Sequence, residues 1–152
     1  MVSRLPRTWL AICCALGLIG CAAESVIEES AEPRQPVEAQ ASVDRAVATT
    51  GDLITYRITV DADAGYEIEI PEAGAEIAGF RIVNVGREEP QTRNGRTVSE
   101  SWYELRADLV GSYVLPPVEV GYRQLLGEVE QPAAWKTLVT SEIFVEVESV
   151  LP

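Results

Sequence analysis

Twenty-four carboxylates, no histidine and a single lysine, Lys136, are what this chain of 152 residues offers to chemistry. Histidine is the usual general base near neutral pH and the commonest metal ligand, so its absence removes the simplest routes to catalysis. A serine or threonine nucleophile would have only Lys136 to activate it. Paired carboxylates alone can hydrolyse a glycoside, but among so many acids close pairs arise by chance. The densest acidic run holds Asp61, Asp63, Glu67, Glu69, Glu72 and Glu76. Within it, Asp61-x-Asp63-x-Gly65 with Glu72 eleven residues beyond Asp61 resembles a calcium loop. The pattern breaks where it matters, with Gly65 at an oxygen-ligand position and Tyr66 at the turn glycine. A solvated loop between strands is the ordinary use of such a run, and calcium binding there stays open. No catalytic residue, metal ligand or cofactor is assigned.

The three cysteines all lie within the first 21 residues. Met1 to Arg7 carries Arg4 and Arg7 and no acid, and Thr8 to Gly20 is apolar, with Leu10, Ile12, Leu16, Leu18 and Ile19. Charge followed by a short apolar stretch is the layout of a secretory signal peptide. A membrane-spanning helix needs about 20 apolar residues, more than this stretch has. The stretch closes Leu18-Ile19-Gly20-Cys21, which resembles the bacterial lipobox. That resemblance implies cleavage before Cys21, acylation of its thiol with palmitate-like chains, and attachment to a membrane through lipid alone. Several acyl chains anchor stably where one does not. Ala22, not Asp, follows the cysteine. By resemblance to lipoprotein sorting in Gram-negative bacteria this favours the outer over the inner membrane, on the periplasmic side of the envelope. An ordinary cleaved signal with a chance cysteine, or an uncleaved anchor, is the alternative.

Loss of Arg4 and Arg7 with the signal takes the net charge from −12 to −14. So acidic a surface argues against nucleic acid, whose binding depends on releasing counterions from phosphates. It argues equally against an electrostatic hold on anionic lipid. With Cys21 as the one remaining cysteine, no internal disulfide is possible.

Three segments follow: 1–20 the signal peptide, 21–40 the lipidated cysteine with a flexible tether, and 41–152 a folded domain. The tether reads AAESVIEESAEPRQPVEAQ, rich in Glu and without an aromatic residue, too poor in apolar surface to order itself. Beyond it the hydrophobic period is two. Ile54, Tyr56, Ile58 and Val60 alternate with Thr55, Arg57 and Thr59, as a half-buried strand requires. Tyr103, Leu105 and Ala107, then Val118, Val120 and Tyr122, then Ile143, Val145 and Val147 repeat the pattern. Phe80 to Val85 reads as a central strand, apolar on both faces. Thr50-Gly51-Asp52, Ala62-Asp63-Ala64-Gly65, Asn94-Gly95, Val110-Gly111-Ser112 and Leu126-Gly127 supply turns. Asn94-Gly95 is placed to join 80–87 to 97–107 as a hairpin. The expectation is an all-β fold, a single immunoglobulin-like sandwich of seven or eight strands.

Asp108, Gly111 and Tyr113, followed by Val114-Leu115, resemble the approach to strand F of immunoglobulin-like domains. There a tyrosine hydroxyl bonds back to the backbone at a corner. A plain core tyrosine would explain the residue equally well. Over a longer span, Ser42-Val43-Asp44-Arg45 with Thr50-Gly51-Asp52, Gly79-Phe80-Arg81-Ile82-Val83, Ser101-Trp102-Tyr103-Glu104-Leu105, Gly111-Ser112-Tyr113-Val114-Leu115-Pro116-Pro117 and Ser141-Glu142-Ile143-Phe144-Val145-Glu146-Val147 resemble the N-terminal immunoglobulin-like part of BatD-type "oxygen tolerance" proteins. The resemblance implies a periplasmic, non-catalytic module associated with membrane complexes of von Willebrand A-type proteins and MoxR-type ATPases, and with stress tolerance. Such proteins usually continue into further domains and a C-terminal membrane helix. The sequence here ends at Pro152, so the fold is expected to be shared without the complex necessarily following.

A protein-interaction module is therefore the expected function, with no small-molecule substrate and a protein partner in the envelope. A carboxylate-dependent hydrolase of envelope glycan and a purely structural lipoprotein are the alternatives. Trp102 and Trp135 are the strongest partner anchors by type, but core packing is their ordinary use. Phe144 is more informative, because Ile143, Val145 and Val147 take the inward face and leave it outward with Glu146 and Glu148. These three mark a candidate partner surface on the outward face or free edge of the C-terminal strand, unless the Trp135 segment or a neighbouring strand covers Phe144.

Overall fold

A computed structural model describes residues 34–125 and 133–151. The signal peptide, Cys21, the first part of the tether and the Leu126-Gly127 turn lie outside the described residues. Every regular element among the described residues is a strand: β1 Val37–Val43, β2 Val47–Thr49, β3 Leu53–Asp63, β4 Tyr66–Glu69, β5 Glu76–Ile77, β6 Phe80–Arg87, β7 Gln91–Arg93, β8 Arg96–Arg106, β9 Gly111–Leu115, β10 Glu119–Gln124, β11 Lys136–Val139 and β12 Ile143–Glu148.

The alternating segments build the centre. β3 and β8 pair antiparallel over their whole length, from Leu53 opposite Arg106 to Asp63 opposite Arg96. Ile54, Tyr56, Ile58, Val60 and Ala62 from one, with Tyr103 and Leu105 from the other, are buried on a single face. The sheet runs β1-β3-β8-β6-β5, with β7 also on β8. Facing residues come from β2-β12-β9 and β11-β10-β4, which bury Ala48, Leu115, Val120, Val145 and Val147 in the same core.

Those two three-stranded pieces share one register. Leu115 pairs with Ile143, and Glu119, four residues on, pairs with Val139, four residues back. Pro116-Pro117 interrupts the ladder because proline has no N–H to give. Thr140, itself buried, repairs the gap: its N–H donates to the Val118 carbonyl at 3.0 Å and its Oγ1 accepts from the Val118 N–H at 2.9 Å. Taken as interrupted single strands, β9/β10 and β11/β12 correspond to F and G of an immunoglobulin-like sandwich. β1, β3, β8 and β6 then take the A, B, E and D positions, β4 is C, and β2 pairs parallel with G. Apart from the short β5 and β7, eight strands remain, the upper end of the expected number.

Several expectations need correcting. The fold begins at Val37, inside the stretch read as tether. Val37 is 2% exposed and pairs with Ala62, and Ala39 pairs with Val60. Phe80 to Val85 is not covered on both faces: β6 bulges between Ile82 and Asn84, and Val83 and Val85 are exposed. Asn94-Gly95, at φ of 50° and 75°, turns β7 into β8 instead of joining β6 to it. Both positive φ values are what a two-residue hairpin turn demands. Val118 and Ile143 are half-buried where full burial was expected.

At the turn before β3, Asp52 accepts from the Thr49 N–H at 2.9 Å and the Thr49 hydroxyl at 2.8 Å. These bonds, the backbone one first, hold its carboxyl below the ordinary value of 3.8. A carboxyl lowered on folding stabilises above its unfolded pKa and ceases to do so as pH falls through the folded value. Denaturant stability is therefore expected to drop below about pH 4. Asp52→Asn should flatten that drop; an identical pH profile for the variant would discount the turn.

Candidate functional site

β12 lies between two neighbours. Phe144 is opposite Val114 and Glu146 opposite Ser112 on the β9 side, while Glu146, Val147 and Glu148 pair with Val47, Ala48 and Thr49 of β2. The β9 edge is filled from Ile143 to Val147, but β2 fills the other only at Glu146 to Glu148, so the free edge expected at this strand is narrowed to Ile143–Val145. The three-residue β2 carries no periodicity long enough to read from sequence. The outward face is open. Phe144 is 64% exposed, uncovered by Trp135 or by any neighbouring strand. Ile143 and Val145, one residue either side in the alternation, are half-buried and buried.

Phe144 does not stand alone. Val114 directly across from it and Val47, opposite Glu146, are also exposed, so three strands each place an apolar residue on this face. Glu146 borders it and accepts from the Ser112 hydroxyl at 2.5 Å, and Glu148 continues the same face. Phe144, Glu146 and Glu148 are therefore brought together as alternation required. Val114 and Val47 were not foreseen. Val114 was legible in principle, since it alternates with Tyr113 and Leu115.

Both tryptophans lie outside the core, against expectation. The Trp102 indole occupies the space that a side chain at Gly86 would fill, so only glycine fits beneath it. Trp135 lies against Gly121 and carries the Arg123 guanidinium 4.7 Å from its ring centroid. Such stacking stabilises by about 0.5–1 kcal/mol at exposed sites.

Much of the acidic run is tied up by arginines. Asp61 Oδ1 and Asp63 Oδ1 accept from Arg96 at 2.6 and 2.7 Å, and Glu67 accepts from Arg123 at 2.5 Å. Among the described residues no group of three acids converges as a cation site would require. Glu88, Glu89 and Glu100 line a groove of about 320 Å³, where Glu100 is held by Arg57 at 2.9 Å. Asp52, whose pKa is moved downward, has the wrong displacement for a general acid.

The tyrosine corner is formed: the Tyr113 hydroxyl donates to the Leu109 carbonyl at 2.8 Å at the start of the F strand, where the immunoglobulin fold places it. Residues 41–147 match the family described as BatD DUF11 like domain. The chain belongs to the BatD family. The BatD match takes in nearly the whole sandwich, from within β1 to the penultimate residue of β12, Phe144 included. No curated protein and no solved structure matches the chain. The BatD domain is not a known enzyme family.

Proposed function

We propose that this chain is a non-catalytic envelope lipoprotein, anchored through Cys21, whose BatD domain binds protein through the outward face of β12. The observation that carries the binding reading is Phe144. A large aromatic side chain stands exposed beside Val114, on a face shared with Val47, with Glu146 and Glu148 at its border. An aromatic anchor within a polar rim is the usual anatomy of a contact centre. The acidic border favours a partner with basic residues around an apolar pocket. The membrane complexes associated with BatD proteins are the first place to seek it.

A photo-reactive residue at position 144 should cross-link one envelope protein that the same residue at Thr59 does not. With that partner purified, Phe144→Ala should weaken binding at least tenfold, the scale of a residue contributing about 2 kcal/mol. The melting temperature should stay unchanged, because little surface leaves a core. Unchanged affinity would remove Phe144 from the site; a lowered melting temperature would assign it to packing.

Anchoring has its own test. The mature N-terminus is expected to be an acylated Cys21, and mass spectrometry of the membrane-extracted protein reads it directly. An unmodified Cys21, or retention of residues 1–20, would overturn the anchor without touching the binding reading.

A further inference from the structure

The sandwich is open along one side, between β4 and β6. β4 pairs with β10 and, among the described residues, with nothing on its other edge. On the facing sheet, Val85 pairs with Tyr103 and Arg87 with Ser101. Cross-strand partners share a face, so Val85 and Arg87 face the sandwich interior, yet Val85 is 59% exposed. The inward face of β6 is thus uncovered where a further strand beside β4 would cover it. A cleft of about 380 Å³ lies there, lined by Val85, Arg87, Ser101 and Tyr103 and, from the segment that follows β4, by Glu72 and Ala73. An apolar hollow of about 160 Å³, which shares Tyr103 with it, adjoins.

Ser101 adds a second, independent sign. It is 2% exposed, lines the cleft, and its Oγ has no hydrogen-bond partner. Buried hydroxyls are nearly always satisfied. Charge narrows the occupant. Glu69 and the Arg123-paired Glu67 alternate with the inward Ile68 of β4, which leaves Glu69 as the acid open to a partner's base, and Glu72 stands at the cleft mouth with Arg87.

The geometry points to a peptide-binding site in which an extended segment of a partner pairs with the free edge of β4, apolar side chains in the cleft and basic side chains on the face of Glu69. Strand addition draws affinity from main-chain hydrogen bonds and specificity from pockets for alternate side chains, and a period of two sends alternate residues to opposite faces. The partner sequence is therefore expected to alternate small apolar residues with Lys or Arg. This site rests on the reading that the BatD domain binds protein, but uses a surface separate from Phe144.

The probe is a blocked octapeptide of alternating valine and lysine, with one of alternating glycine and lysine as the equal-charge control. Both are titrated into the full chain in detergent, followed by amide hydrogen exchange. The valine peptide should slow exchange at Tyr66–Glu69 and bind at least tenfold tighter than the control. Val85→Trp, which fills the cleft from an exposed position, and Glu69→Lys should each weaken it at least tenfold. Phe144→Ala should leave it unchanged. Equal binding of the two peptides, protection elsewhere than β4, or full affinity in Val85→Trp would each overturn the site. None of these results bears on Phe144, whose own cross-linking test decides the broader binding reading.

Discussion

Arg96→Met is expected to cost the domain about 2–3 kcal/mol, with a melting temperature roughly 10 °C lower. Arg96 is one of few charged residues in the interior, its side chain 7% exposed. Its Nε donates to Asp61 Oδ1 at 2.6 Å, its Nη1 to Asp63 Oδ1 at 2.7 Å and the Gln35 carbonyl at 3.2 Å, and its Nη2 to the Asp61 carbonyl at 2.9 Å. One guanidinium thus ties the start of β8, the end of β3 and the segment entering β1. Removing one partner of a fully buried ion pair costs about 3–5 kcal/mol. Asp61 and Asp63 remain 33% and 50% exposed, so water takes over part of their solvation and the lower figure applies.

The pH dependence of that loss is fixed by sign. Hydrogen bonding to Asp61, then to Asp63, raises the Arg96 pKa above its ordinary value, against the opposing effect of burial. A base raised on folding stabilises below its unfolded pKa and ceases to do so only as pH climbs through the folded one. The gap between wild type and Arg96→Met should therefore be level between about pH 6 and 10. Denaturant titration measures it. A gap under about 0.5 kcal/mol, the range of an ordinary surface substitution, would show that the network holds nothing together.

The long strands were legible because burial on one face writes a period of two, and Ile54 to Val60 and Ile143 to Val147 carry it plainly. The outward placement of Phe144 followed from the same rule. What escaped reading has physical causes. Val37 and Ala39 do alternate, but Glu38 and Gln40 between them, after a Pro- and Glu-rich run, made the segment look like more tether. Composition outweighed period there. Pro116-Pro117 reads as a strand boundary, whereas the register continues across it through Thr140. β2 is three residues long and is held by pairing, with no pattern of its own. Arg96 was invisible as a core residue because its burial depends on carboxylates 35 and 33 positions away. Tryptophan is usually packed inside, but here β10 and β6 supply glycines, Gly121 and Gly86, that seat the two indoles on outward faces.

Phe80→Ala should be the most damaging single substitution in the domain, about 3–5 kcal/mol, out of a total stability on the order of 5–15 kcal/mol. Phe80 is fully buried at the start of β6, in one layer, and its ring centroid lies 4.6 Å from that of Tyr113, in the other. Aromatic pairs at this separation add about 0.5–1.5 kcal/mol to what burial alone supplies. Tyr113 is in turn pinned by its bond to the Leu109 carbonyl at 2.8 Å. Tyr113→Phe keeps the ring and loses only that bond, so about 1 kcal/mol is expected; Leu109 is exposed, and water can replace the hydroxyl. The two losses should not add. With the Phe80 ring gone, Tyr113 is less firmly seated, and deleting its hydroxyl should cost less than in the wild type, a coupling of about 0.5 kcal/mol or more. Strict additivity in the double variant would show that the corner bond and the ring contact are independent. The corner also bears on binding, because Tyr113 is adjacent in sequence to Val114, which flanks Phe144 across the β9–β12 pair. If the corner sets the position of β9, Tyr113→Phe should weaken partner binding several-fold while Phe144 itself is untouched. Full affinity in a measurably destabilised Tyr113→Phe would show that the face is held by β12 and β2 alone.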